Sequence, residues 1–197
     1  MKCPTKLTVV AVIAVLAGFA HPLLLSACTS FAVYSEKTIY GMNFDNTPNL
    51  LQNFTISSEI QGRVFHLRPF GFSCVAGMNI KGLFETCQGL IPEEKPPATR
   101  SKNHISIWIF QKMALSRFEK VPQAKDFLTN KKVVQAMGSS MHNLVADRFG
   151  DAMAVESGDT ENQITEIQDR YIVMTSLPVH QLKGKSYEEV EGEGSER

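Results

Sequence analysis

Ala27-Cys28-Thr29-Ser30-Phe31-Ala32-Val33-Tyr34 joins a greasy leader to the first strand-like run of the chain, and the reading of its cysteine decides the fold. A cut between Ala27 and Cys28 leaves a first residue that carries a thiol and a free α-amine on one carbon. The amine titrates near ~8 and the thiol near ~8.5, so a base and a nucleophile sit together close to neutral pH. Such a pair activates a weak nucleophile without a neighbouring histidine.

Upstream, Met1 to Lys6 is a short basic segment and Leu7 to Ala20 an almost purely apolar run, broken by His21-Pro22. That run is shorter than the roughly 20 residues a membrane span needs, and it fits a secretory signal peptide over residues 1–27. An exported chain is therefore expected. Ala27 supplies the small residue wanted before a signal-peptidase cut, whereas Leu25 is bulkier than that pattern asks for. Leu25-Ser26-Ala27-Cys28 also resembles a bacterial lipobox, in which lipid on Cys28 would abolish thiol and base together. The leader leaves both readings open.

Downstream, Thr29 to Tyr34 and Thr38 to Phe44 read as two strands about the turn Ser35-Glu36-Lys37. A hairpin of this kind returns Asp45 to the start of the first strand, where an acid can orient an N-terminal amine. Asp45-Asn46-Thr47-Pro48 is also ordinary turn chemistry. Further strands are predicted at Phe54–Ile60, Arg63–Leu67, Ser73–Asn79 and Leu83–Gln88. Asn79-Ile80-Lys81-Gly82 predicts a type I turn with a left-handed Gly82 and a bulge. In that register Cys74 faces Gln88 rather than Cys87, which speaks against a disulfide. The prolines and charges of residues 91–101 predict a loop; helices follow over Ile105–Phe118 and from Val121 to about Leu128. Strands resume at Met141–Asp147, Ala152–Ser157, Gln163–Gln168 and Tyr171–Ser176, and from His180 the chain is polar and reads as a solvated end. Strands, a helical pair and more strands give an α+β layered domain.

The 20 basic residues less Lys2 and Lys6 leave 18 against 20 acidic residues after the cut. With no basic stripe, nucleic acid is excluded as a partner. No Gly-x-Ser-x-Gly elbow, P-loop, dinucleotide glycine pattern or metal-ligand spacing is present. His66 and His142 read as structural or surface residues. With Cys3 in the leader, three cysteines remain, an odd count that hints at one free thiol.

Five stretches in order carry a family resemblance: Cys28-Thr29-Ser30-Phe31; Tyr40-Gly41-Met42-Asn43-Phe44-Asp45; Gly77-Met78-Asn79-Ile80-Lys81-Gly82-Leu83; His142 to Asp151 followed by Glu156; and Met174-Thr175-Ser176-Leu177-Pro178. Together they resemble the choloylglycine hydrolase family, whose relatives include penicillin V acylases, bile salt hydrolases and other linear amide hydrolases. The resemblance spans Cys28 to Arg197 and implies a four-layer αββα N-terminal nucleophile hydrolase sandwich over residues 28–197. By resemblance Cys28 is the nucleophile, Asp45 positions its amine, and Arg197 matches the family's arginine after Tyr187-Glu188-Glu189-Val190. Gly89 supplies a backbone oxyanion donor, and the second oxyanion position falls on Ser176, where the family has asparagine. The family usually has arginine where Met42 stands and glutamate at Ile80, and its domain continues beyond Arg197, so an incomplete sandwich is expected.

The implied substrate is a small N-acyl amide, cleaved with no cofactor. A membrane is a partner only if Cys28 is lipidated, and oligomers occur in the family. The competing readings are a non-enzymatic surface lipoprotein anchored through Cys28 and an inactive truncated family member.

Overall fold

In the computed structural model the described residues are 28–45, 53–60, 62–68, 74–91, 101–135, 140–185 and 189. The leader, its cleavage point and Arg197 lie outside them. Three sheets form. A three-stranded sheet runs β12-β1-β2, from β1 (Thr29–Tyr34), β2 (Thr38–Asn43) and β12 (Tyr171–Met174). A seven-stranded sheet runs β11-β10-β9-β6-β5-β4-β3, from β3 (Asn53–Glu59), β4 (Gly62–Arg68), β5 (Ala76–Asn79), β6 (Phe84–Gly89), β9 (Met141–Ala146), β10 (Ala152–Ser157) and β11 (Asn162–Glu166). The third is a short parallel pair, β7 (His104–Ser106) and β8 (Lys132–Val134). Helices α1 (Ile107–Arg117), α2 (Val121–Thr129) and the single turn α3 (Val179–Leu182) complete the chain.

Period-two alternation assigns the two faces of the large sheet. Along β10 the odd residues Met153 and Val155 pack with Ile107, Phe110, Ala114, Val121 and Leu128 of the helices. The even residues Ala152 and Ala154 face the small sheet through Ala32, Leu144, Ala146, Ile172 and Met174. Both faces of β10 are therefore covered, and its residues from Ala152 to Glu156 are all buried. Small alanines on the inner faces let the two sheets approach, while each fully buried Phe or Ile on the helix side contributes about 1.5–3 kcal/mol.

Side chains between the sheets stack in layers. Ala32, Thr86, Leu144, Ala154 and Ile172 form a mostly apolar layer, as their cross-strand pairings require. One step towards the start of β1, the next layer turns polar: Ser30, Gln88, His142 and Glu156, all at most 1% exposed. That polar layer lies beneath Cys28.

The predicted hairpin about Asn79 forms as its residues dictate. Gly82 has φ +87° and the Gly82 N–H bonds the Asn79 carbonyl at 3.0 Å. Pairing of Ala76 with Thr86 sets the register in which Cys74 faces Gln88, and Cys28, Cys74 and Cys87 form no disulfide among the described residues. Asn79 does more than turn the chain. Its Oδ1 accepts from the N–H groups of Lys81 and Leu83, while its Nδ2 donates to the carbonyls of Leu115 and Phe118 at 3.0 and 2.7 Å. Those carbonyls are among the orphan acceptors at the C-terminus of α1, so one side chain ties the turn to the helix end.

Three elements depart from expectation. Residues 104–106 are a strand rather than the first turn of α1, and Lys132–Val134 pairs with it. Neither run is long enough to show an alternating period. The polar end from His180 instead opens with α3, which Glu156 holds in place. The described residues supply three of the αββα layers: α1 and α2, the large sheet and the small sheet. No long helix covers the outer face of the small sheet among them. On the inner face of β3–β5, Phe54 is 65% exposed and Ile56 68%, with Phe65 and Met78 beside them also open. The small sheet reaches only the other half of this face.

Candidate functional site

Cys28 stands one residue before β1, and three neighbouring strands define its surroundings. In β2 the pairing Thr29↔Asn43 continues to set Cys28 beside Phe44, which returns Asp45 to the chain start. The Cys28 Sγ lies 3.9 Å from the Asp45 carbonyl oxygen. The Asp45 carboxylate accepts from Asn43 Nδ2 at 3.1 Å. In β12 the last paired residue, Met174, faces Ser30, and Ser176 follows two residues beyond the end of the strand.

Gln88 of β6 joins these strands from the other sheet. Its Nε2 donates to the Cys28 carbonyl at 3.1 Å and to the Met174 carbonyl at 3.0 Å, while its Oε1 accepts from Ser30 Oγ at 2.5 Å. The amide thus uses both hydrogens and one oxygen lone pair on the strands that flank the thiol. It fixes the Cys28 backbone independently of the cysteine side chain. Gln88→Leu keeps the volume but orphans two buried carbonyls and a buried hydroxyl. It is expected to lower stability by about 2–4 kcal/mol, read as a shift of the urea midpoint at constant slope. A cost below about 0.5 kcal/mol would show that the clamp is not needed.

Gly89 follows Gln88 directly. The Leu90 N–H bonds Ser140 on the β9 side and the Cys87 N–H bonds Val75 on the β5 side, so the alternation directs the Gly89 N–H away from β9. A Cβ at Gly89 would meet nothing within 4 Å. Ser176 is fully buried, and its Oγ has no hydrogen-bond partner among the described residues. Its carbonyl accepts from the Ile91 N–H at 2.7 Å, which ties the end of β12 to the end of β6. Met42 is half-buried opposite Ser30.

The segment carrying Ser176 is held by Glu156. The carboxylate of this fully buried residue accepts from the backbone N–H groups of Val179 and His180 at 2.8 and 3.0 Å. It also lies 3.0 Å from His142 Nδ1 and 2.8 Å from His180 Nδ1. Burial raises its pKa, but the His142 hydrogen bond and the His180 backbone and ring contacts outweigh burial, and the net direction is down. An ionised carboxylate only accepts, so both Nδ1 atoms carry hydrogen, and His142 Nε2 is left buried without a partner among the described residues.

The structure thus sets the Cys28 Sγ beside the Asp45 carbonyl and ties Gln88, the residue before Gly89, to the Cys28 carbonyl; Ser176 lies two residues beyond β12, and Arg197 lies outside the described residues. Sequence reasoning passed over Gln88 and used Glu156 only as a motif marker. For Glu156 the signal was there: a charged residue at an inward position of a strand whose preceding inward residues, Ala152 and Ala154, are apolar.

Solved structures share the fold. Conjugated bile acid hydrolase from Clostridium perfringens matches in two variant forms. One has TM-score 0.63 and 17% identity over 74% of this chain and 52% of that one. The other has TM-score 0.60 and 17% identity over 73% and 52%. Penicillin V acylase from Agrobacterium tumefaciens matches with TM-score 0.59 and 20% identity over 74% and 51%. The chain spans about half the length of these structures, and its fold is that of N-terminal nucleophile hydrolases. No curated protein matches the sequence. The family model for acyl-coenzyme A:6-aminopenicillanic acid acyl-transferase covers residues 34–182, most of the chain beyond Cys28, and the chain belongs to that family.

Proposed function

We propose that the chain, once cut after Ala27, belongs to an exported hydrolase that cleaves a linear amide C–N bond of a small N-acyl substrate, with Cys28 as nucleophile. The observation that carries this reading is the buried Cys28 Sγ one residue before β1, 3.9 Å from the Asp45 carbonyl, with the Cys28 backbone held by Gln88. The likeness to bile acid and penicillin V hydrolases supports the same class.

In the proposed step the α-amine of Cys28 takes the thiol proton and the sulfur attacks the substrate carbonyl carbon. The carbonyl electrons move onto oxygen, towards the Gly89 N–H and the Ser176 hydroxyl. Pre-aimed donors of this kind are worth about 2.7–4 kcal/mol each in known cases. Collapse breaks the C–N bond as the ammonium returns its proton to the departing nitrogen. Water, deprotonated by the same amine, then adds to the thioester, which releases the carboxylic acid and restores the thiol. Asp45 orients the amine, and Arg197 serves the site as the family's arginine does. Only acyl transfer is involved, so no cofactor is required.

N-terminal sequencing and the intact mass of the exported product test the first requirement. A free Cys28 amine is expected, whereas added lipid mass would establish the anchor reading instead. Turnover of a panel of N-acyl amides then tests the chemistry: amine release is expected from at least one. A folded, correctly cut protein that releases none fits the inactive-member reading.

A further inference from the structure

The face of the seven-stranded sheet turned away from Cys28 carries a second polar pocket. Gln88 reaches Cys28 from one face of β6; Glu85 and Cys87, at odd positions, point to the other, beneath α1. There, His66, Arg68, Cys74, Trp108, Gln111 and Lys112, with Leu115, line a cavity of about 140 Å³. That volume suits a ligand of about six non-hydrogen atoms, judging by an engineered cavity of about 150 Å³ that holds benzene.

The chemistry of the lining is specific. Gln111 is 2% exposed, and its Nε2 has no hydrogen-bond partner among the described residues. Arg68 Nε is likewise buried and unpartnered among them. Neither Arg68 nor Lys112 forms an ion pair among the described residues, whose salt bridges are Lys125–Glu166, His142–Glu156 and His180–Glu156. An unmet buried donor costs about 1–3 kcal/mol, so two of them on residues lining one cavity call for an acceptor. Trp108 and Leu115 give the same cavity apolar wall.

The thiol sets the kind of site. Cys74 Sγ is 3.0 Å from the Ala76 carbonyl and 3.4 Å from His66 Nδ1, and His66 Nε2 is 2.8 Å from Ser57 Oγ. Burial first, and then Glu85, push the Cys74 thiol up to about 12. It stays S–H at neutral pH and is no nucleophile. Burial likewise lowers the pKa of His66 and raises that of Glu85 well above the usual carboxylate range. The nearby carboxylate of Glu59 is turned to Ser57, beyond His66.

We propose that this pocket binds a small aliphatic carboxylate, its oxygens taken by Gln111 Nε2, Arg68 and Lys112 and its short tail set against Trp108 and Leu115. It is a binding site, separated from the Cys28 region by the thickness of the sheet.

Trp108 is the only tryptophan in the chain and lines this pocket, so its fluorescence reports on it. Titration of the full chain with butyrate is expected to give a saturable change with Kd on the order of 1 mM. Lys112→Met, at an exposed position that leaves the core intact, and Gln111→Leu are each expected to weaken binding by about tenfold or more. Three results would overturn the proposal: no saturable change up to about 100 mM butyrate, a Lys112→Met protein that titrates like wild type, or inorganic phosphate binding as tightly as butyrate.

Discussion

Cys28→Ala in the processed protein is expected to abolish amine release, with kcat falling on the order of 10⁶-fold, the scale seen when a catalytic nucleophile is removed elsewhere. The loss should be chemical rather than structural. Cys28 is buried, yet its position is fixed through its backbone, because Gln88 Nε2 holds the Cys28 carbonyl and the β1 ladder follows at once. Shortening the side chain touches neither. The thermal midpoint is therefore expected to move by no more than a few degrees, as for a change near 1 kcal/mol. Cys28→Ser keeps the geometry but offers a far less acidic group to the same amine, so its rate should fall between the two. An alanine variant that still releases amine at the wild-type rate would place the nucleophile elsewhere.

Much of this arrangement was legible in the chain itself. The hairpin from Thr29 to Asn43, the Asn79 turn with its left-handed Gly82 and the Cys74–Gln88 register each follow from local residue chemistry. Local rules suffice there because a two-strand ladder is fixed by its turn. The order of strands in the large sheet was not legible. β6 pairs with β9 across a connection of more than fifty residues, and no turn records such a partner. The parallel pair β7–β8 was missed for a related reason: three residues carry no period, and Ile105 looks the same in a strand as in a helix.

At the site, the sequence pointed to Cys28 and Asp45 because the hairpin couples them. It could not point to Gln88, whose role depends on which strands of the other sheet lie above it. Nor did it show that Ser176 follows a strand paired with β1, since all seven strands of the large sheet lie between β1 and β12 in sequence. The pocket under α1 was further from view. Arg68, Cys74 and Gln111 come from a strand, a loop and a helix, and alone each is an ordinary residue.

Glu156→Ala is expected to be the most destabilising substitution considered, at about 3–5 kcal/mol, the usual cost of removing one partner of a buried charged array. Against a total stability of about 5–15 kcal/mol, that is enough to unfold a marginal domain. The carboxylate accepts from the Val179 and His180 N–H groups and from two imidazoles. Removing it leaves His142 buried and releases the segment that carries Ser176, so activity should fall with stability. Glu156→Gln keeps the volume but turns an amide N–H₂ towards N–H donors, and an intermediate loss is expected. The pH response separates charge from shape. The folded pKa of Glu156 is depressed, so its contribution is present above the unfolded carboxylate range. It is lost as pH falls through the folded value, which lies below the ordinary glutamate range. Wild type should therefore lose stability more steeply on acidification than Glu156→Gln, as read by urea midpoints between about pH 7 and pH 3. Parallel pH profiles for the two proteins, or an alanine variant that costs less than about 1 kcal/mol, would mean that the segment around Ser176 is held by something other than this carboxylate.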